Sequence, residues 1–382
     1  MTEAHIAGEA TLPNGTYDVP ELDLALRVVL DALETAGRDP PDVEGVYLPK
    51  PRPWTDQGFL STLLADRLGA SPVRTMEAYT GGTSGANAFH TAVADVRADR
   101  VETAVVAGVE RNSTIETEDY FDYILGIFDR EFQSPVGPSI PAMYAQSMQR
   151  YRHEFGVDRR ALAAIAAKNR QNGASNPDAL SSTPATTDEV LESRPISDPL
   201  RLYECPAPCD GAAAVVVTAE PGPESPSVRI GGIGSGHAAS HLIGTRDAAL
   251  SRFPAIGAAT REALADAGTT AADVDVIEPY APFPHVEAVI TEELGLFEHG
   301  DGPAACVRGE TAVDGSHPVS PSGGCIGRGH PAMVTPLLNY ADGARQIRGT
   351  AANQVSEVDR VATTSEHGHV DGVTATVLEV AW

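Results

Sequence analysis

Apolar positions in this chain fall into two rhythms. Runs such as TAVVAGVE (Thr103 to Glu110) and DGAAAVVVTAE (from Asp210) are almost continuously apolar over the length of a strand. That is the pattern of a sheet covered on both faces. Between such runs lie alanine-rich stretches that read as helices: one follows the polar loop YTGGTSG (Tyr79 to Gly85), and another is ALAAIAAKNRQNGASNP (Ala161 to Pro177), a helix with a turn after it. The alternation predicts α/β units.

The pattern also repeats. LDALETAGRDPPDVEGVYLP (Leu30 to Pro49) returns as REALADAGTTAADVDVIEPY (Arg261 to Tyr280), with 231 residues separating Gly37 from Gly268 and Asp42 from Asp273. Each copy reads as a helix stopped by Ala-Gly, a short polar link, and a strand opened by Asp-Val. Two weaker echoes extend the match. Gly81-Gly82-x-x-Gly85 resembles Gly323-Gly324-x-x-Gly327, each leading into a helix, and DGAAAVVVTAE resembles DGVTATVLEVA from Asp371, each a closing strand. A gapless repeat of this kind predicts two tandem duplicated α/β halves. The Pro/Ser-rich link EPGPESPS (Glu220 to Ser227) puts the boundary near residue 224, giving halves 1–224 and 225–382. The first half carries roughly 80 additional residues, a lobe over about 112–197, of the kind that covers a site.

A chain of 382 residues suits two packed units. No apolar run approaches the roughly 20 residues that span a bilayer, so no membrane insertion is expected. The start, MTEAHIAGEA, lacks the basic-then-apolar pattern of a signal peptide, and a cytoplasmic protein is expected. The net charge of −26 changes the picture more. Lys50 and Lys168 are the only lysines, and the acids are spread along the chain, as on a halophilic surface whose self-repulsion is screened by salt. No basic patch with interleaved aromatics suggests a nucleic-acid partner. Cys205, Cys209, Cys306 and Cys325 neither form a disulfide framework nor pair with histidines at zinc spacing, and no metal is expected.

Four stretches in order carry a resemblance: FGVDRRALAAIAAKNRQNGASNP, DPLRLYECPAPCDGAAAVVV, SPSGGCIGRGHPAMVTPLLNYADGARQIRG and DGVTATVLE. Over nearly its full length the chain resembles the thiolase superfamily, in the branch of the sterol-carrier-protein-x thiolase domain and archaeal acetyl-CoA acetyltransferase-like proteins. The resemblance implies the thiolase fold, a layered αβαβα arrangement with an inserted loop lobe in the first half. It also implies acyl-CoA thioester substrates, so that coenzyme A enters with the substrate and no cofactor is held permanently. A homodimer is implied too, and relatives in this branch work with a small zinc-ribbon/OB-fold protein.

In that family the glycine loop reads Cys-x-Ser-Gly and the Cys takes the acyl group. Anchored on Ser84-Gly85 and Glu110, the Cys position falls on Gly82, leaving a loop of backbone amides suited to an oxyanion. Thr80, Thr83 and Ser84 either cap the following helix or stand in for the thiol. The family's Gly-His-Pro motif is complete as Gly329-His330-Pro331, with His330 as oxyanion donor or base. Its Asn-Glu-x-Phe or His-Asp-x-Phe element corresponds to EPYAPF, with Tyr280 and Phe283 at the matching places and Ala281 for the acid. A Tyr there is similar to the lipid-transfer-type aldolases, which lack the Cys and split a 3-hydroxyacyl-CoA. The Cys-x-Gly element corresponds to EHGH ahead of Gly372, so His367 or His369 stands where the thiol was. Cys325 precedes the Gly-His-Pro motif at a place the family does not use as nucleophile.

Three functions fit these residues: carbon-carbon bond cleavage or formation of the retro-aldol or aldol type, acyl transfer with a replaced nucleophile, and a non-catalytic acyl-CoA-binding subunit. His330, Tyr280 and one of His367 and His369 are the candidate catalytic groups. Gly82, Ser84, Gly329, Phe283 and Gly372 are the candidates for holding the oxyanion or the substrate.

Overall fold

In the computed structural model, which describes residues 2–55, 57–137, 139–238 and 249–381, the chain opens with β1 (His5–Gly15) and α1 (Glu21–Ala36). It continues through β2 (Gly45–Pro49), α2 (Leu60–Leu68), β3 (Arg74–Ala78), α3 (Ser84–Arg97) and β4 (Thr103–Glu110). It then leaves the sheet for α4 (Thr117–Ile124), α5 (Ile140–Phe155), α6 (Arg159–Ala174), α7 (Thr187–Glu192) and a small hairpin of β5 (Pro195–Ser197) and β6 (Leu200–Arg201). It returns as β7 (Asp210–Thr218). From β8 (Ser227–His237) the plan recurs: α8 (Ala249–Arg252), α9 (Pro254–Ala267), β9 (Val276–Pro279), α10 (Pro284–Glu293), α11 (Gly302–Val307), α12 (Gly324–Gly327), α13 (Thr335–Arg348), β10 (Arg360–His367) and β11 (Gly372–Ala381).

Nine strands form one mixed sheet in the order β3-β2-β4-β7-β1-β8-β11-β10-β9. Its two arms mirror each other about the antiparallel contact of β1 with β8, where His5 faces Arg229 and Ile6 faces Val228. β2 runs parallel to β4 and β9 parallel to β10, while β4 with β7 and β10 with β11 are antiparallel. The repeat seen in the sequence is therefore structural. Gly37 and Gly268 both take left-handed backbone angles (φ 63° and 69°) to end α1 and α9, a conformation that glycine enters without steric strain. Each is followed by a 3-10 turn in which Asp42 or Asp273 accepts a backbone N–H three residues back. The Asp-Val pairs thus close these turns, and the strands begin just beyond them, at Gly45 and Val276.

The glycine echo is corrected. Gly324–Gly327 forms only a four-residue helix, and the counterpart of α3 is α13, equally 14 residues long and starting at Thr335. The intervening residues turn through Gly329-His330-Pro331 instead of continuing the helix, because Gly329 is left-handed (φ 105°) and Pro331 has no N–H to give.

Core packing sets the layers. α3 and α13 lie between the two arms, with Phe89 stacked on Tyr340 at a centroid distance of 4.1 Å among Val93, Leu337, Val106, Val215 and Val361. α1 and α2 cover the far face of the first arm through Val28, Leu33 and Leu64 against Val46, Val105 and Val216. α9 and α10 cover the second through Ile256, Ala259 and Val289 against Ile277, Ala375 and Val377. The order is αβαβα, and each buried Val, Leu or Ile among these contributes about 1.5–3 kcal/mol. The helices between β4 and β7 bridge the arms. Tyr144, Met148, Tyr151 and Ile165 share the second arm's outer core, and α6 adds polar clamps: Lys168 Nζ to Glu287 (2.7 Å) and to the Val319 carbonyl (2.7 Å), Asn172 to Ser320 O (2.9 Å) and, just beyond the helix, Asn176 to Ser322 O (2.9 Å). These clamps fix the backbone that leads into α12 and His330.

Candidate active site

Three strand-end segments and one that follows a helix meet at one place: the turn 81–84 after β3, Tyr280 just past β9, His367 at the end of β10, and His330 after α12. The first is closed by its own side chains. Ser84 Oγ donates to Gly81 O (2.7 Å) and accepts from Thr80 N–H (2.9 Å), and Thr83 Oγ1 donates to Thr80 O (2.8 Å). Ser84 is completely buried, so its hydroxyl is spent within the loop. The 3-10 turn Gly81–Thr83 runs directly into α3, with Ser84 N–H donating to Gly81 O, so the turn stands at the positive end of that helix.

Gly82 is required by its surroundings. A Cβ there would stand 2.8 Å from the Tyr280 hydroxyl and 3.1 Å from its ring, and would run into the Glu366 carbonyl oxygen. Tyr280 thus fills the space that a side chain at position 82 would need.

Tyr280 is anchored through its N–H to Thr364 O (3.0 Å), and its hydroxyl lies 3.1 Å from His330 Nε2 with the rings edge to face at 5.0 Å. On the other side of the imidazole, Nδ1 is 3.2 Å from Thr335 Oγ1, whose own proton goes to Pro331 O (3.1 Å). Thr335 can therefore only accept, which puts the imidazole proton on Nδ1 and leaves Nε2 as a bare acceptor for Tyr280 O–H. Burial, followed by the positive charges of Arg52 and Arg328, pushes His330 down to about 3, so the ring is neutral. Burial, followed by the Glu366 carboxyl, raises the Tyr280 phenol well above its usual range. At rest the pair is an uncharged phenol donating to an uncharged imidazole. Gly329 has no room for a side chain, since a Cβ would stand 3.0 Å from Leu180 Cβ and 3.1 Å from Cys209 Sγ.

His367 is half-buried. Its Nδ1 lies 3.1 Å from Thr83 Oγ1, and its ring lies against Gly372, where any Cβ would collide with it. Burial lowers its pKa, opposed by Asp371. His369 goes elsewhere. It is fully buried, edge-on to Tyr144 (4.8 Å) and Phe253 (5.4 Å), with Nε2 3.3 Å from Ser147 Oγ. Phe283 lies in the same core, 4.4 Å from the Tyr144 ring. Of the candidates, then, Gly82, Tyr280, His330 and His367 come together, Gly372 gives the His367 ring room, Gly329 packs on Leu180 and Cys209, and Ser84, Phe283 and His369 face other partners.

Three neighbours were not among the site candidates read from the sequence. Glu110 accepts from Arg52 Nε (2.8 Å) and from Met333 N–H (2.9 Å), which ties β4 to the turn that follows His330. Glu366 accepts from Tyr144 O–H (2.7 Å) and Val370 N–H (3.2 Å), and burial lifts it to about 8 despite these bonds. Tyr120 packs edge-on to Trp54 (5.8 Å) beside Arg52. In the sequence Glu110 serves only as an anchor for the glycine loop and Glu366 only as part of EHGH, and neither use points to these contacts. Cys325 is buried in α12 and Cys209 beneath Gly329, both pushed up to about 12 by burial, so neither is a ready thiolate. Among the described residues no group of three or more His, Cys, Asp or Glu could hold a metal ion, and no helix is long and apolar enough to cross a membrane.

Two family profiles divide the chain: Thiolase, N-terminal domain, over residues 10–221, and Thiolase C-terminal domain-like, over residues 234–379. An acetyl-CoA acetyltransferase of Methanothermobacter thermautotrophicus is 30% identical over 94% of this chain and 94% of its own. A 17-hydroxy-3-oxo-4-pregnene-20-carboxyl-CoA lyase of Mycobacterium tuberculosis is 30% identical over 91% of this chain and 92% of its own. Among solved structures, the Ltp2-ChsH2(DUF35) aldolase superposes with a TM-score of 0.85 at 23% identity, covering 99% of this chain and 98% of that one.

Proposed function

Because the chain belongs to the thiolase superfamily, with an acetyl-CoA acetyltransferase and a carboxyl-CoA lyase among its relatives, we propose that it cleaves or forms a carbon-carbon bond in an acyl-CoA thioester by a retro-aldol or aldol step, without a cysteine nucleophile. The observation that carries this reading is the Tyr280 O–H donating to His330 Nε2 directly over Gly82. In the cleavage direction the substrate is a 3-hydroxyacyl thioester. Its hydroxyl proton passes to the Tyr280 oxygen as the Tyr280 proton moves to Nε2. The C2–C3 bond breaks, C3 leaves as an aldehyde or ketone, and the electron pair settles on C2 and the thioester oxygen as an enolate. The turn that carries Gly82 offers that oxygen the positive end of α3, through amides ahead of Ser84, whose own N–H is spent on Gly81 O. His330 holds a proton weakly and returns it through Tyr280 to C2, so atoms and charge balance over the cycle. His367, hydrogen-bonded to Thr83, steadies the turn and is the nearer of the two histidines for an auxiliary proton transfer.

The relation to an acetyl-CoA acetyltransferase favours acyl transfer as a second reading; both hydroxyls donate within the loop, Thr83 to Thr80 O and Ser84 to Gly81 O, and Thr83 is the one with an imidazole beside it, His367 Nδ1 at 3.1 Å. A third is a binding subunit that supports an active partner. The lyase and aldolase relatives support the first reading, and the ChsH2(DUF35) component of the aldolase complex supports a small partner protein for this chain as well. We place the working protein in the cytoplasm as a homodimer.

The test is incubation with a panel of 3-hydroxyacyl-CoA esters, alone and with the partner protein purified from the native host. Release of an aldehyde or ketone together with the shortened CoA ester is expected. No cleavage of any ester under either condition sinks the retro-aldol reading.

A further inference from the structure

Thr83 Oγ1 has three polar neighbours: Thr80 O at 2.8 Å, Asn87 Nδ2 at 3.1 Å and His367 Nδ1 at 3.1 Å. A carbonyl can only accept, so the one hydroxyl hydrogen goes to Thr80 O. The other two neighbours must then donate. Asn87 does so with one amide hydrogen while the other reaches Thr80 Oγ1 (2.8 Å), and His367 does so through an Nδ1–H. The proton of the neutral ring therefore sits on Nδ1, and Nε2 is the basic nitrogen. Thr335 treats His330 in the same way on α13. There the spacing Thr-x-x-x-Asn recurs as Thr335 and Asn339, but Asn339 donates to Glu278 O (3.1 Å) instead. The difference matches exposure. His330 is buried, whereas His367 is half-buried and the adjoining Thr80 is exposed, so water competes for the Thr83 hydroxyl.

We propose that Asn87 is a positioning residue: by holding the Thr83 hydroxyl against Thr80 it fixes His367 as the Nδ1–H tautomer and keeps Nε2 free of a proton. The proposal rests on the retro-aldol reading only for the use made of Nε2, the auxiliary proton transfer given above to His367. With Asn87 in place the ring takes a proton at Nε2 as a base and returns it from there as an acid. The same bonds tell against Thr83 as an acyl acceptor, since the imidazole beside it offers a proton and has no lone pair on Nδ1 with which to take one. Without Asn87 the Thr83 hydroxyl is free to turn to water or to the ring. A ring that receives it at Nδ1 carries its own proton on Nε2, where it is no base.

Nitrogen-15 NMR of ring-labelled histidines reads the tautomer without any substrate, with His367 identified among the 11 by the signals lost in His367→Gln. Wild type at pH 8 is expected to show a protonated Nδ1 and a bare Nε2. Asn87→Leu, or Asn87→Ala should that variant not fold, is expected to give a mixture with the Nε2–H form. For a cleaved 3-hydroxyacyl-CoA it should keep KM within about twofold and lose about tenfold in kcat. Thr83→Val should mix the tautomers as well, and Thr83→Ser should keep the wild-type one. A wild-type ring protonated on Nε2, an unchanged tautomer in the Asn87 variants, or a mixed tautomer that leaves kcat unchanged overturns the proposal. The two readings fail separately: a tautomer that depends on Asn87 in a protein that cleaves no ester removes only the reaction, and cleavage by an Asn87 variant whose ring keeps its tautomer removes only the part of Asn87.

Discussion

The hydroxyl of Tyr280 stands 2.8 Å from the point a Cβ on Gly82 would occupy, with the Glu366 carbonyl closing the other side. A phenol can swing aside, but a carbonyl within β10 cannot do so without breaking the ladder. Gly82→Cys is therefore expected to lose about 1–3 kcal/mol of stability by overpacking and to take no stable acetyl group from labelled acetyl-CoA. Urea unfolding and mass spectrometry of the intact protein check it. Wild-type stability together with stoichiometric labelling of the new thiol would show that the space is freely available.

Tyr280→Phe removes the hydroxyl and leaves the ring edge-to-face with His330. Stability should change by no more than about 1 kcal/mol, while cleavage falls about 10²- to 10⁴-fold at saturating substrate. A loss confined to KM would move Tyr280 from proton transfer to binding.

Two buried groups bend the stability curve in opposite directions. Glu366, raised to about 8 by burial, is protonated in the fold where the unfolded chain has already ionised, so its stabilising contribution is full below the usual glutamate value near 4.5 and drains away as pH rises towards 8. His330, pushed down to about 3, works the other way: the unfolded chain takes up a proton first, and stability is lost as pH falls from 6.5 towards 3. Glu366→Gln, whose amide can face Tyr144 while its oxygen accepts from Val370, should gain on wild type as pH rises from 5 to 8. Urea titrations at both ends measure the crossover, and a difference independent of pH would show that Glu366 is ionised throughout.

A net charge of −26 on 382 residues repels itself at low ionic strength. The midpoint of thermal unfolding should rise steeply between 0.1 and 3 M KCl, most of it in the range where the Debye length falls from about 10 Å to about 3 Å. An equal rise in sucrose, which screens nothing, would point to exclusion from the surface in place of charge.

How much of this was legible in the sequence depends on range. Gly37 and Gly268 could be matched because a helix stop, a turn and a strand start are written in adjacent residues. Thr335 could not be recognised as the partner of Ser84, because its helix begins after a detour through Gly329 and Pro331 that no local spacing reports. The Tyr280–His330 pairing followed from motif resemblance, but the proton on Nδ1 did not, since Thr335 decides it by spending its own hydrogen on Pro331. Arg52 in the loop after β2, Glu110 on β4 and Tyr120 on α4 meet only through the fold, and composition has nothing to say about such meetings. His367 and His369 differ by two residues, yet the end of β10 lies between them, and only the backbone tells which one reaches Thr83.

The mirrored sheet has one more consequence. Glu110 ends β4 opposite Gly211, and His367 ends β10 opposite Gly372, the same place in each arm. Yet Glu110 grips Met333 of the second arm, and His367 reaches Thr83 of the first. Each copy braces its sibling's loop and not its own. A single copy has no sibling within its own chain, so it could form this clasp only with a second molecule.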